Sequence, residues 1–348
     1  MSLESTLFWS LIAAVAIAVG SYIVHGAWNT LGAWRVHRAG PRRLSSYTHL
    51  IWRDPGDVAA LDLADGPGGV EGRPVPPYEF VEEHAGGSQP CVTVRDGRHR
   101  RWRVKWGNEV NSETFAVRIV WACGFFAETT HYVAEGTMSG VTNLQRAASS
   151  VDDRGRFSAA RFELDDTAVR KHFEEHSWAW NDNPFLGSRE LQGLKIVTML
   201  LSNWDTKDRR DVARGSNTAI FEHATAAGRE ARYLITDWGG SMGSWGANIV
   251  TRGRWNPEAF AAQTPQFVSA VEEGVVKFGY AGQRTEDVAS GITPQDVQWL
   301  CGYLGQLTDA QIDAALLASG ASHDEGEQFR SALRDRINQL HRVAGLTS

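Results

Sequence analysis

Strand-like runs crowd the first half of this 348-residue chain, and helical periodicities dominate the second. That segregation restricts the fold more than any single residue does. Between Tyr78 and Trp106, three short runs (Tyr78–His84, Cys91–Arg95 and Arg101–Trp106) are separated by Ala85-Gly86-Gly87-Ser88 and by Asp96-Gly97. Both separators are turn signals, so the segment reads as an antiparallel meander. A helix follows from Ser112, a good N-cap residue, to Cys123. His131–Ala134 and Arg156–Leu164 read as further strands, and Asp166–Trp180 has a helical pattern. After the loop Trp180-Asn-Asp-Asn-Pro184, a second helix near Ser188–Leu201 carries Leu191, Leu194, Val197 and Leu201 at helical spacing. Tyr233–Thr236 is a short strand of the buried type. Beyond Phe260 the chain reads as helices, among them Pro294–Leu304, Asp309–Leu317 and Glu325–Val343. Strands first and helices afterwards predict an α+β, two-lobed architecture. Its parts are a β-rich N-lobe over 49–165, with an antiparallel sheet, and a mainly helical C-lobe over 166–348.

The amino terminus stands apart. Leu7 to Val24 is uncharged over 18 residues, a helix of about 27 Å against a hydrocarbon core of about 30 Å. Only Glu4 precedes it, whereas Arg35, Arg38, Arg42 and Arg43 follow. Residues 1–24 therefore read as a transmembrane anchor or signal, and 25–48 as a basic linker. Positive charge on the C-terminal flank predicts a single-pass membrane protein with a cytoplasmic body. The alternative is an exported body after signal cleavage. Asp65–Pro77, rich in glycine and proline, reads as a loop.

Net charge is −6 and no basic stripe interleaves with the aromatic residues, so the chain lacks the electrostatic footprint of a nucleic-acid binder. Its three cysteines, Cys91, Cys123 and Cys301, form neither a CxxC pair nor a disulfide framework. There is no Walker A sequence, and prolines rather than a helix follow Gly66-Pro-Gly68, which removes a dinucleotide fingerprint.

What remains is a constellation suited to phosphoryl transfer. That chemistry needs phosphates held still, metal ions bridging them, and a carboxylate to orient the attacking group. The turn Ala85-Gly86-Gly87-Ser88 offers backbone amides. Lys105 lies on the next strand but one, and Glu113 opens the following helix on the stripe of Ala116, Val117 and Val120, with Glu109 competing for the pairing role. Asp205 and Lys207 follow the buried helix, and Asp237 closes a strand before Trp238-Gly239. Singly, each has an ordinary reading: a solvated strand face, a helix N-terminus, a capped helix end, a turn. Their common order raises the joint reading above any one of them.

The segments WRVKWGNEVNSETFAVRIVWACGFF, NDNPFLGSRELQGLKIVTMLLSNWDTKD, GSNTAIF and YLITDWGGSMG resemble an uncharacterised bacterial protein family, from about Leu50 nearly to the C-terminus. Its layout is in turn similar to the outlying kinase folds, the HipA-like and phosphatidylinositol-kinase-like groups. That resemblance implies an ATP- and Mg²⁺-dependent phosphotransferase. Gly86, Gly87, Ser88, Lys105 and Glu113 would hold the nucleotide, and Asp205 would be the base-like residue. Lys207 would neutralise developing charge, and Asn217 and Asp237 would bind metal. One departure stands out. Kinase loops carry a metal-binding Asn about five residues beyond the catalytic Asp, and Arg210 occupies that position. Asn217, twelve residues on, serves only if Asp208–Gly215 bulges out as an insertion; otherwise a nucleotide-binding or scaffolding pseudokinase is implied. The acceptor is not legible, and the partners expected are a nucleotide and, through the first helix, a membrane.

Three rival constellations compete. His172-Phe-Glu-Glu175-His176 fits the inverted zinc-peptidase motif. Gly239-Gly-Ser241-Met-Gly243 fits a nucleophile elbow. Asp205, Asp208, Asp211 and Asp237 would also make a carboxylate cage for a metal-dependent hydrolase.

Overall fold

A computed structural model describes residues 46–86, 89–166, 170–171, 177–206, 217–245, 253–283 and 285–346 of the chain. Five strands, β2 (Tyr78–Glu83), β3 (Cys91–Arg95), β4 (Arg101–Lys105), β5 (Thr130–Ser139) and β6 (Arg156–Leu164), close into a barrel in the order β2-β3-β4-β6-β5. Strand alternation sorts the faces. Val92, Val94, Trp102, Val104, Ala160 and Phe162 point inward and are fully buried. Arg103, Lys105, Arg161 and Glu163 stand on the opposite face. The antiparallel meander is present as expected, but the sheet is not open. Tyr78 and Glu79 pair in parallel with Met138 and Ser139, which removes both edges. Sequence alternation specifies the faces of a strand and says nothing of such long-range closure.

Helix α1 (Val110–Ala122) follows β4 and is buried along nearly its whole length. It begins earlier than the N-cap reading of Ser112 predicts. The Ser112 hydroxyl lies inside the first turn and donates to the carbonyls of Glu109 and Gly239, at 3.1 Å each. A tertiary acceptor has taken the group that a free helix would use as its cap.

The second half is more mixed than a helical lobe. Strands β1 (Thr48–Leu50), β7 (Arg170–Lys171), β8 (Thr218–Thr225) and β9 (Gly228–Ile235) form a sheet ordered β1-β9-β8-β7, with β1 parallel to β9. The helical expectation for Asp166–Trp180 fails in the described part. Arg170–Lys171 pair with β8, and Trp178 and Trp180 are both buried, Trp180 inside the turn that the Ala179–Asp182 bridge closes. Trp178 also donates its indole N–H to Leu234 O at 3.1 Å. Helix α2 (Arg189–Leu200) starts at Ser188, whose hydroxyl caps Leu191 N. A hairpin of β10 (Val268–Glu272) and β11 (Val275–Phe278) interrupts the helices α3 (Pro257–Gln263), α4 (Thr285–Ala289), α5 (Pro294–Leu304), α6 (Asp309–Ala318) and α7 (His323–Val343). Helices α5 and α6 begin where expected and α7 begins at His323 rather than Glu325; each opens on a reciprocal capping box, at Thr293/Asp296, Thr308/Gln311 and Ser322/Glu325. The expected membrane helix, Leu7–Val24, lies outside the described residues; among these, no helix is long and apolar enough to cross a membrane.

Candidate functional site

Two backbone segments run side by side where α2 ends. Leu201–Thr206 leaves the helix, and Asp237–Met242 leaves β9. They are joined by hydrogen bonds from Met242 N to Leu201 O at 2.8 Å and from Trp204 N to Gly240 O at 3.3 Å. Asn203 is the side-chain link. It is 1% exposed, donates through Nδ2 to Asp237 O at 3.1 Å, and accepts from Asp205 N at 3.3 Å. Gly240 allows this approach, because a Cβ there would sit 2.9 Å from Asn203 Oδ1 and 3.1 Å from Asp205 N.

Asn217 joins the same group. Its Nδ2 donates to Asp205 O at 2.6 Å, and its own carbonyl accepts from Thr236 N at 3.0 Å. Its backbone is left-handed, with φ of 65°, a conformation asparagine tolerates better than most residues. Asp205, Asn217 and Asp237, far apart in sequence, therefore share one locus, with Asn203 between them. Asp205 and Asp237 are half-buried.

Two barrel cations, Lys105 and Arg161, act on Glu109, as does Asp237. Lys105 is half-buried and lies opposite Cys91 on β3 and Arg161 on β6. Glu113 faces inward, as its stripe predicts, but its carboxylate is taken by Arg161, which also binds Glu163 at 2.7 Å. Glu109 faces Asp237 instead. Its Cγ and Cδ lie 2.8 and 3.0 Å from where a Gly239 Cβ would be, and Gly239 N donates to Asp237 Oδ1 at 2.9 Å. Burial first, and the Asp237 charge second, push the Glu109 carboxyl above the usual range, against the opposing pull of Arg254, Lys105 and Arg161. Arg254 pairs with Glu109 at 3.3 Å, and its guanidinium lies 4.8 Å from the Trp204 ring centroid.

Of Gly86, Gly87 and Ser88, only Gly86 lies among the described residues. Gly86 is exposed, and its carbonyl accepts from Arg146 at 2.7 Å. Gly87, Ser88, Lys207, Asp208, Arg210, Asp211 and the His172–His176 motif lie outside the described residues. Among the described residues, no group of three or more His, Cys, Asp or Glu is placed to hold a metal ion. A carboxylate-cage or zinc reading thus gains nothing there. Ser241 is fully buried, so it is no nucleophile elbow, whose serine must stand exposed. Asn203, Trp204 and Arg254 were missed as site residues. Their signal is faint: an Asn directly before the Trp-Asp pair, and an arginine beyond the glycine turn.

No protein-family model and no curated protein matches the chain. Among solved structures, the Rio2 kinase of Chaetomium thermophilum, in its ADP/Mg²⁺-phosphoaspartate complex, aligns with a TM-score of 0.29 at 12% identity. The alignment covers 75% of this chain and 72% of that one. This is a weak likeness to a kinase-like fold and carries no argument by itself.

Proposed function

We propose that the chain is a kinase-like phosphotransferase that uses ATP and Mg²⁺, tethered to a membrane through Leu7–Val24. The observation that carries this reading is the hydrogen bond from Asn217 to the Asp205 carbonyl, beside Asp237. Kinase chemistry needs a carboxylate for the acceptor hydroxyl, and an Asn and an Asp for the metal ions. Asn217 supplies the amide despite the displaced spacing, because it folds back onto the loop that carries Asp205. Lys105 on the third barrel strand, followed directly by α1, fits the place where kinases keep the phosphate-anchoring lysine.

In this reading Asp205 accepts the proton of the acceptor hydroxyl as that oxygen bonds to the γ-phosphorus, while the bond from the γ-phosphorus to the β-phosphate oxygen breaks and ADP leaves. Asp237 and Asn217 would hold the metal, which would supply positive charge against the phosphates. Lys105 contacts the phosphates. The test is thermal shift of the full chain with ATP and Mg²⁺, with phosphate transfer read in parallel. Saturating nucleotide at a hundredfold over Kd stabilises by about 2.7 kcal/mol. Asp237→Ala should lose the shift, and Asp205→Ala should keep it while losing transfer. Absence of any nucleotide-dependent shift in the unaltered chain would overturn the proposal.

A further inference from the structure

The end of helix α2 is built in an unusual way. Ser202 N donates to Met199 O at 2.9 Å and Asn203 N to Thr198 O at 3.0 Å. These are the two bonds of a Schellman turn, with Ser202 at its left-handed position. Its φ is 51°. Glycine is the residue that takes this conformation without steric cost. A serine there needs compensation from its surroundings.

The compensation is Arg336, on α7 and 1% exposed. Its Nη1 donates to Leu200 O and to Ser202 Oγ, both at 2.8 Å. The other arms reach Phe260 O at 2.7 Å and Thr264 Oγ1 at 3.0 Å. The guanidinium lies 3.7 Å from the Phe260 ring centroid and 5.4 Å from that of Phe267. None of these partners is a carboxylate. Burial accordingly lowers its pKa to about 9, which still leaves it charged at neutral pH. A buried cation held only by neutral acceptors is costly to keep. What it holds is the carbonyl end of α2, where the helix dipole favours positive charge, and the hydroxyl of the left-handed Ser202.

We infer that Arg336 is a positioning residue for Asp205: it latches the left-handed turn at Ser202, and this sets the direction in which Asn203 and Asp205 enter the site. The inference rests on the phosphotransfer reading for its consequence but not for its geometry. Further along, the loop is tied at Asn203 O by Tyr280 Oη at 2.5 Å and at Trp204 O by Gln283 N at 2.8 Å. Those bonds fix the later residues. Among the described residues, Arg336 is the side chain that bonds the left-handed Ser202 itself.

Hydrogen exchange on the full chain without nucleotide tests the latch. Ser202→Ala keeps the strained backbone and removes the hydroxyl, and should speed exchange of the Asn203 and Asp205 amides about tenfold. Arg336→Met should do the same. Ser202→Gly, which needs no latch, should recover most of the protection. Wild-type exchange in Ser202→Ala and Arg336→Met would overturn the inference; if the methionine variant does not fold, the alanine variant decides alone. In transfer assays Ser202→Ala should lower kcat about tenfold with the KM for ATP unchanged. An unaltered chain that neither binds nor uses ATP would sink the phosphotransfer reading, while the exchange data would still decide the latch.

Discussion

Glu113 and Arg161 form an ion pair between helix α1 and barrel strand β6, with side chains only 4% and 1% exposed. The pair sits where a lysine–glutamate bridge was expected, so the helix is fastened to the barrel by a different cation. Removing one member of a buried pair strands the other, at about 3–5 kcal/mol. Arg161 retains Glu163, so the lower end applies here. Glu113→Gln should therefore lower the urea midpoint by an amount equivalent to about 3 kcal/mol, with little effect on the nucleotide affinity of the folded protein. Loss of affinity at unchanged stability would mean that Glu113 serves the ligand rather than the scaffold.

The Lys105 charge acts instead on Glu109, which it shares with Arg254 and Arg161. Lys105→Met should weaken ATP binding about tenfold, equivalent to about 1.4 kcal/mol, and leave thermal stability without nucleotide nearly unchanged. Glu109→Gln removes a carboxylate that burial and Asp237 both disfavour, yet it also weakens the hold on Arg254. The Glu109→Gln variant should bind ATP more weakly in the presence of Mg²⁺ than in its absence, relative to the unaltered chain. Titration calorimetry with and without Mg²⁺ reads both effects.

Much of the architecture was open to a reader of the sequence. Short runs between turn signals marked β3 and β4, and helical spacing of apolar residues marked α2. The failures share a cause: they depend on contacts between distant segments. Closure of the barrel needs β2 beside β5, and the β8–β9 hairpin was half missed because Thr218–Thr225 carries no strict alternation. Trp178 and Trp180 belong to a segment with a helical pattern but are held by Leu234 and by their own turn. Asp205 and Asp237 were candidates through their order and Asn217 through the kinase resemblance, and the structure brings the three together. Which carboxylate faces Lys105 was not, because Arg161 is far off in sequence and captures Glu113.

Gly239 offers a steric test of the same locus. A Cβ there would lie 2.8 Å from Glu109 Cγ and 2.9 Å from its Cβ, so the Glu109 side chain would have to move. Close approach, not backbone conformation, demands the glycine. Gly239→Ala should displace Glu109, break its ion pair with Arg254 and change the emission of Trp204, against which Arg254 is stacked. Core overpacking costs about 1–3 kcal/mol, so a modest fall in melting temperature should accompany a clear spectral change. Unchanged tryptophan emission would argue that the three groups are not mechanically joined.

His131 makes the barrel sensitive to acid. It is 5% exposed, with its ring 6.0 Å from that of Trp102, and its pKa is pushed down to about 3. Burial is the main cause, followed by the charges of Arg118, Arg73 and Arg100, against a backbone hydrogen bond at Gly72. The unfolded chain takes up a proton at His131 near pH 6.5, whereas the folded chain refuses it until about pH 3. Stability therefore falls as pH drops through that window, by up to about 1.4 kcal/mol per pH unit from this group, and is unaffected above it. His131→Gln keeps a neutral polar side chain and removes the linkage. Between pH 7 and pH 5 the unaltered protein should lose about 2 kcal/mol more than the variant. Carboxylates titrate alike in both, so the difference isolates the histidine. Parallel stability curves from urea unfolding at pH 7, 6 and 5 would show that His131 is protonated inside the folded barrel.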